Sequence, residues 1–227
     1  MEIKRSDYMK TINIAIDGPA GAGKSTIAKM VSAEMGYIYV DTGAMYRAVA
    51  LYLTENNIPD EDADKHMGEV EVALKFVDGA QRVYLGDRDV SELIRTPEIS
   101  MAASRTSAIP AVRARLFDLQ QKLARENNII MDGRDIGTVV LPDANVKIFL
   151  TASAEERAKR RFKELSVKPD CPTYEEILKD IIQRDYNDMN RETAPLKQAE
   201  DAVLVDTTEL TLEQSAARIA EIIKERV

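Results

Sequence analysis

Ile12-Asn13-Ile14-Ala15-Ile16-Asp17 runs directly into Gly18-Pro19-Ala20-Gly21-Ala22-Gly23-Lys24-Ser25-Thr26, an apolar stretch closing on a complete G-x-x-x-x-G-K-[ST] element. The apolar stretch has the length and composition of a buried strand. Beyond it, Ile27, Ala28, Val31 and Met35 recur at helical spacing. A glycine-rich turn between strand and helix lets the backbone fold around an anion, with successive N–H groups and the helix N-terminus aimed at phosphate oxygens. In that setting Lys24 reaches the β- and γ-phosphates and the Ser25 hydroxyl is placed to ligate Mg²⁺. Thr26 is the neighbouring hydroxyl, and its position in the element favours it less than Ser25. The alternative is a glycine-rich turn that binds nothing; the flanking strand and helix argue against it. Gly18–Thr26 is therefore expected to hold a nucleoside triphosphate.

Working outward, strand-like runs fall at Ile12–Asp17, Tyr37–Val40, Ile129–Asp132, Val146–Leu150 and Ala202–Asp206, with helical patterns between them. Such alternation predicts an α/β fold, a parallel sheet of the P-loop NTPase type flanked by helices. Ser153-Ala-Glu-Glu156, Thr173-Tyr-Glu-Glu176 and Thr211-Leu-Glu-Gln214 read as capping boxes, and Pro97 and Pro110 suit first helical positions. From about Gly68 to Val90 the rhythm breaks. Val72–Val77, Asp78-Gly79 and Arg82–Leu85 read as a hairpin with a tight turn, a small β-rich insert.

The chain has 227 residues and a net charge of −8, enough for one substantial core and a poor electrostatic match for polymeric DNA or RNA. The expected substrate is a small anion held by a few placed cations. One cysteine, Cys171, and one histidine, His66, exclude an internal disulfide and a Cys/His metal cluster. No run is long and apolar enough for a membrane span. A cytoplasmic, monomeric enzyme without a membrane or polymeric nucleic-acid partner is the expectation.

Cations elsewhere sharpen the reading. The strand ending Met131-Asp132 closes on an aspartate, and Gly133-Arg134-Asp135 follows, at the carboxyl ends of the strands where such sheets bind ligands. Between Tyr174 and Arg191, the residues Ile177, Ile181, Arg184, Asp188 and Arg191 share roughly 80° of one helix face. Charge continuing an inward-facing apolar line is costly unless something neutralises it, and a charged ligand would do so. Solvation or mutual pairing of those charges is the alternative. Arg157, Arg160 and Arg161 cluster on a further helix, either a solvated face or cations that fold over transferring phosphates. An N-K-x-D base-reading motif is missing, which disfavours a guanine-specific switch.

The segments IDGPAGAGKST (Ile16–Thr26), DTGAMYR (Asp41–Arg47), DGRDIGTVV (Asp132–Val140) and RDYNDMNR (Arg184–Arg191) together resemble the bacterial cytidylate kinase family of nucleoside monophosphate kinases, from Thr11 to the C-terminus. The resemblance implies transfer of the γ-phosphoryl group of ATP to CMP or dCMP with Mg²⁺. It implies a kinase core at 11–41 and 114–227, with a short helical lid around 153–172. It also implies a monophosphate-binding region at 42–113 carrying the β-rich insert at about 68–90. Residues 1–10 form an N-terminal extension with no assigned role. By the same resemblance Thr42, Arg47, Ser104, Arg113, Asp132, Arg134, Asp135, Arg184, Asp188 and Arg191 form the acceptor site. Arg47, Arg134 and Arg191 would hold its phosphate, Arg184 and Asp188 its sugar, and Ser104, Arg113 and Asp135 its base. Lys24, Arg134, Arg191, Arg157 and Arg161 are the candidate catalytic cations. Other small kinases of this fold, accepting UMP, AMP or a non-nucleotide alcohol, are the nearest competitors.

Overall fold

The computed structural model describes residues 11–77, 80–167 and 171–227. The extension at 1–10, the expected turn at Asp78-Gly79 and positions 168–170 of the expected lid lie outside the described residues. In chain order the elements are β1 (Asn13–Asp17), α1 (Lys24–Met35), β2 (Ile38–Asp41), α2 (Thr42–Glu55), α3 (Ala63–His66), β3 (Val72–Val77), β4 (Ala80–Leu85) and β5 (Arg88–Asp89). They continue with α4 (Pro97–Thr106), α5 (Pro110–Glu126), β6 (Ile129–Gly133), a π-type turn at Ile136–Val140, β7 (Val146–Thr151), α6 (Ala154–Leu165), α7 (Tyr174–Asn190), β8 (Val203–Asp206) and α8 (Leu212–Lys224).

Five strands form one parallel sheet in the order β2-β6-β1-β7-β8. These are the five strands expected from the sequence, each within one residue at either end. Alternation along β1 explains the two layers of helix. Ile14 and Ile16 face α1 and α8, packing with Ile27, Val31, Ile219 and Ile223. Ala15 faces the opposite side, where Met131 joins Met45 and Val49 of α2 and Val112 and Leu116 of α5. Both faces of the central strands β1, β6 and β7 are covered, so most of their positions are apolar.

The insert is a three-stranded antiparallel sheet, β3-β4-β5, rather than a hairpin alone. Its third strand, Arg88–Asp89, is too short to leave a periodic signal. Val83 on β4 packs this sheet onto Ala48 and Leu51 of α2 and Ile99 and Ala103 of α4. The helices α6 and α7 pair around Ala158, Ile177 and Ile181.

Pro97 and Pro110 open α4 and α5 as expected. Reciprocal capping boxes form at Thr173 and Thr211. Ser153 makes only half of one. Its hydroxyl accepts from the Glu156 N–H, but the Glu156 carboxylate accepts from Arg160 Nε (3.0 Å), and the Ser153 N–H is taken by Thr208 Oγ1. Among the described residues no helix is long and apolar enough to cross a membrane.

Candidate active site

The carboxyl ends of β1, β2 and β6 lie side by side, and the loops leaving them wall a crevice of about 230 Å³. From β1 comes the glycine-rich turn. Gly18 packs so closely on β7 that a Cβ there would lie 1.9 Å from the Leu150 carbonyl oxygen. Gly21 and Gly23 adopt φ values of +77° and +87°, a region that side chains disfavour. The helix that follows, α1, has no side-chain cap and no acidic residue in its first turn. Its leading N–H groups are thus left for an external anion. Ala20, Gly21, Lys24 and Ser25 line the crevice, whereas Gly18, Pro19, Ala22 and Gly23 build the turn behind it. Thr26 is exposed and lies off the crevice wall.

Lys24 is buried, with Nζ donating to the Pro19 carbonyl (2.7 Å). Burial, reinforced by Arg134, brings its ammonium down to about 7, against the pull of Asp132 and Asp17. Ser25 Oγ donates to Asp132 Oδ2 (2.8 Å), and Tyr39 Oη donates to Asp132 Oδ1 (3.0 Å). Burial lifts the Asp132 carboxyl to about 6, assisted by Asp41 and opposed by Lys24. A hydroxyl and a buried carboxylate are hard oxygen donors of the kind that would hold Mg²⁺.

The rest of the crevice wall is a ring of alternating charge. Arg134 Nε donates to Asp188 (2.8 Å), Arg113 pairs with Asp135, and Arg191 Nη2 lies 3.6 Å from the same carboxylate. Arg47 pairs with Asp41 (3.0 Å). Thr42 Oγ1 donates to the Asp132 carbonyl (2.7 Å), which fixes the start of α2 against β6. Arg184 is largely enclosed, its Nε has no partner, and burial together with Arg134 lowers its affinity for a proton. Burial raises the Asp135 carboxyl despite Arg113 and Arg191. At Asp188 burial is the largest single influence and pushes upward, but Arg134, Arg184 and Arg191 together outweigh it and hold the carboxyl below its ordinary value. Six cationic side chains and four carboxylates line the crevice, an excess of positive charge in an acidic protein.

The structure therefore brings together Lys24, Ser25, Thr42, Arg47, Ser104, Arg113, Asp132, Arg134, Asp135, Arg184, Asp188 and Arg191. It does not bring Arg157 and Arg161 to them. The Arg157 guanidinium, 4% exposed, is spent on Ala20 O (2.9 Å), Ala152 O (2.9 Å) and both oxygens of Asp185, tying the phosphate loop to α6 and α7. Arg161 is exposed and paired with Glu164 one turn on. Arg160 is turned to Glu156 and Thr207. Asp41, Tyr46, Ser100 and Ser107 also line the crevice and were not expected there. The signals existed. Asp41 directly precedes a helix and caps it, and Ser100 and Ser107 lie four before and three after Ser104 on one face of α4 and its end.

A family model described as cytidylate kinase matches residues 14–225. A cytidylate kinase of Caldicellulosiruptor bescii is 54% identical over 217 residues, 94% of this chain and 96% of that protein. The cytidylate kinase of Carboxydothermus hydrogenoformans is 50% identical, over 93% of this chain and 97% of its own length. That of Lactobacillus johnsonii is 47% identical over 100% and 99%. Among solved structures, a protein of uncharacterised function from Eubacterium ventriosum superposes with a TM-score of 0.53 at 13% identity, covering 95% of this chain and all of that one. It shares the fold.

Proposed function

The chain belongs to the cytidylate kinase family, and from that premise we propose that its crevice moves the γ-phosphoryl group of ATP to CMP or dCMP, giving ADP and CDP or dCDP. One observation carries the reading. The phosphate-binding turn with Lys24 opens into the same crevice as Arg47, Arg134, Arg184 and Arg191. Two anionic substrates must meet for the transfer, and their repulsion is the obstacle.

In this reading the α1 N-terminus and Lys24 hold the triphosphate, and Arg47, Arg134 and Arg191 hold the acceptor phosphate in line with it. The transferred group passes from the leaving oxygen of ADP to an oxygen of the acceptor phosphate without a covalent enzyme intermediate. Charge that develops on its equatorial oxygens meets cations already fixed by packing, so little reorganisation is needed. Mg²⁺, held through Ser25 and Asp132, would screen phosphate charge when bound. Arg184 and Asp188 take the sugar hydroxyls. Ser104, Arg113 and Asp135 read the base: the cytosine amine donates to Asp135, and Arg113 and Ser104 donate to the ring nitrogen and carbonyl. Residues 42–113 act as the acceptor-binding region and α6 with its following segment as the lid. Arg157 acts as a strut for the phosphate loop.

We take the chain to act as a cytoplasmic monomer, where both nucleotides are supplied. An ATP-coupled assay with CMP, dCMP, UMP, AMP and a panel of small alcohols tests the proposal. Turnover should favour CMP and dCMP, with UMP well behind. Preference for any other acceptor would overturn it.

A further inference from the structure

β2 is the edge strand of the large sheet, so its outer backbone groups have no strand to pair with. At Asp41, the last residue of β2, both are satisfied by one side chain from the small sheet. Gln81 Oε1 accepts from the Asp41 N–H (2.9 Å) and Gln81 Nε2 donates to the Asp41 carbonyl (3.3 Å). Such a pair of bonds to one residue is what a neighbouring strand would make, and here a primary amide substitutes for it. The same Asp41 has two further tasks through its carboxylate. It caps α2 by accepting from the Ala44 N–H (2.8 Å), and it holds Arg47 (3.0 Å). The turn between them is tight: a Cβ at Gly43 would sit 3.1 Å from both Arg47 Nη1 and Asp41 Oδ1. Any shift of the Asp41 backbone is therefore transmitted to the N-terminus of α2 and to Arg47.

We infer that Gln81 is a positioning residue for the acceptor half of the crevice: by clamping the Asp41 backbone it sets the place of Arg47. The insert then has a role in catalysis although Gln81 is not among the residues lining the crevice. The inference rests on the reading of Arg47 as a cation for the acceptor phosphate.

Gln81→Met keeps the bulk of the side chain and removes both bonds. The KM for CMP should rise roughly threefold to tenfold, the loss of one to two net hydrogen bonds, while the KM for ATP stays within about twofold. In an Asp41→Asn background, where the ion pair to Arg47 is already gone, Gln81→Met should add little. A full, additive effect in that background, or an equal rise in both KM values, would assign Gln81 a general structural role and overturn the inference. Should Gln81→Met fail to fold by circular dichroism, Gln81→Glu decides. It keeps the acceptor for the Asp41 N–H and lacks the donor, and an unchanged KM for CMP would overturn the inference. Arg47→Ala separates the two levels. If it leaves the KM for CMP unchanged, the reading of Arg47 is wrong; if it raises that KM while Gln81→Met does not, only the role of Gln81 falls.

Discussion

Asp135 is a nearly enclosed carboxylate that burial pushes toward neutrality while Arg113 and Arg191 pull it back. A group so placed can discriminate between a donor and an acceptor on a ligand. Asp135→Asn can donate as well as accept, so the preference for CMP over UMP, as a ratio of kcat/KM, should fall about tenfold or more, mostly through lost CMP activity. An unchanged ratio would move base reading to Ser104 and Arg113. Lys24→Met should leave the circular dichroism spectrum intact and lower turnover by orders of magnitude. Near-normal turnover in the folded variant would remove the phosphate turn from the chemistry. Asp17, the last residue of β1, accepts from the N–H groups of Ile136 (2.8 Å) and Gly137 (2.7 Å). Burial lifts its carboxyl from 3.8 to about 6 against those two donors. The folded protein thus holds this proton more tightly than the unfolded chain. The resulting stability is complete below about pH 4 and is lost as pH rises through about 6. The stability of the native protein relative to Asp17→Asn should accordingly fall between pH 4 and pH 7 in denaturant titrations; a constant difference would contradict the assignment. Residue identity made the ring of arginines legible in the sequence, but not which of them are already engaged. Arg157 and Arg161 carry the same charge at the same helical spacing, and only tertiary packing separates a strut from a solvated pair.

At the scale of elements, the central strands β1, β6 and β7 were legible because they are buried almost throughout and read as largely apolar runs, and the edge strands β2 and β8 as shorter runs of the same kind. The two complete capping boxes were legible because both partners are local. The half-made box at Ser153 was not, since Thr208 and Arg160 compete for its two halves from outside the motif. The two-residue strand β5 and the π-type turn after β6 are set by their neighbours rather than by periodicity. The helix pair α6 and α7 shows what tertiary context adds. Its small apolar core is supplemented by the buried Arg157–Asp185 bridge, which also reaches the Ala20 carbonyl. Removing one member of a buried pair leaves the other uncompensated, at a cost of about 3–5 kcal/mol. Asp185→Asn should therefore lower the denaturant midpoint and quicken proteolysis around α6. Normal midpoints and protease resistance would show that the bridge adds nothing to that pair.

Over the whole molecule, charge is segregated. The chain carries a net charge of −8, yet the crevice concentrates six of its cations. An acidic exterior repels phosphates generally, and the low-dielectric walls of the crevice focus attraction where the two substrates meet. The sheet makes that meeting possible. β1 delivers the phosphate turn, its neighbour β6 delivers Arg134 and Asp135, and β2 beyond delivers Thr42 and, through α2, Arg47. On the proposed reading, donor and acceptor sites are adjacent parts of one cavity, and a ligand that occupies both gains from linkage without any new contact. Adenosine and cytidine joined 5′ to 5′ by a polyphosphate chain should bind, in the presence of Mg²⁺, at least about a hundredfold more tightly than ATP or CMP alone. Its affinity should exceed that of inorganic tripolyphosphate, which supplies the charge without the nucleosides, and should weaken as salt screens the cations. Calorimetric titration of the three ligands at two ionic strengths measures both effects. Affinity no better than that of ATP would mean that the two nucleotide sites are not contiguous, and in-line transfer across this crevice would then be untenable.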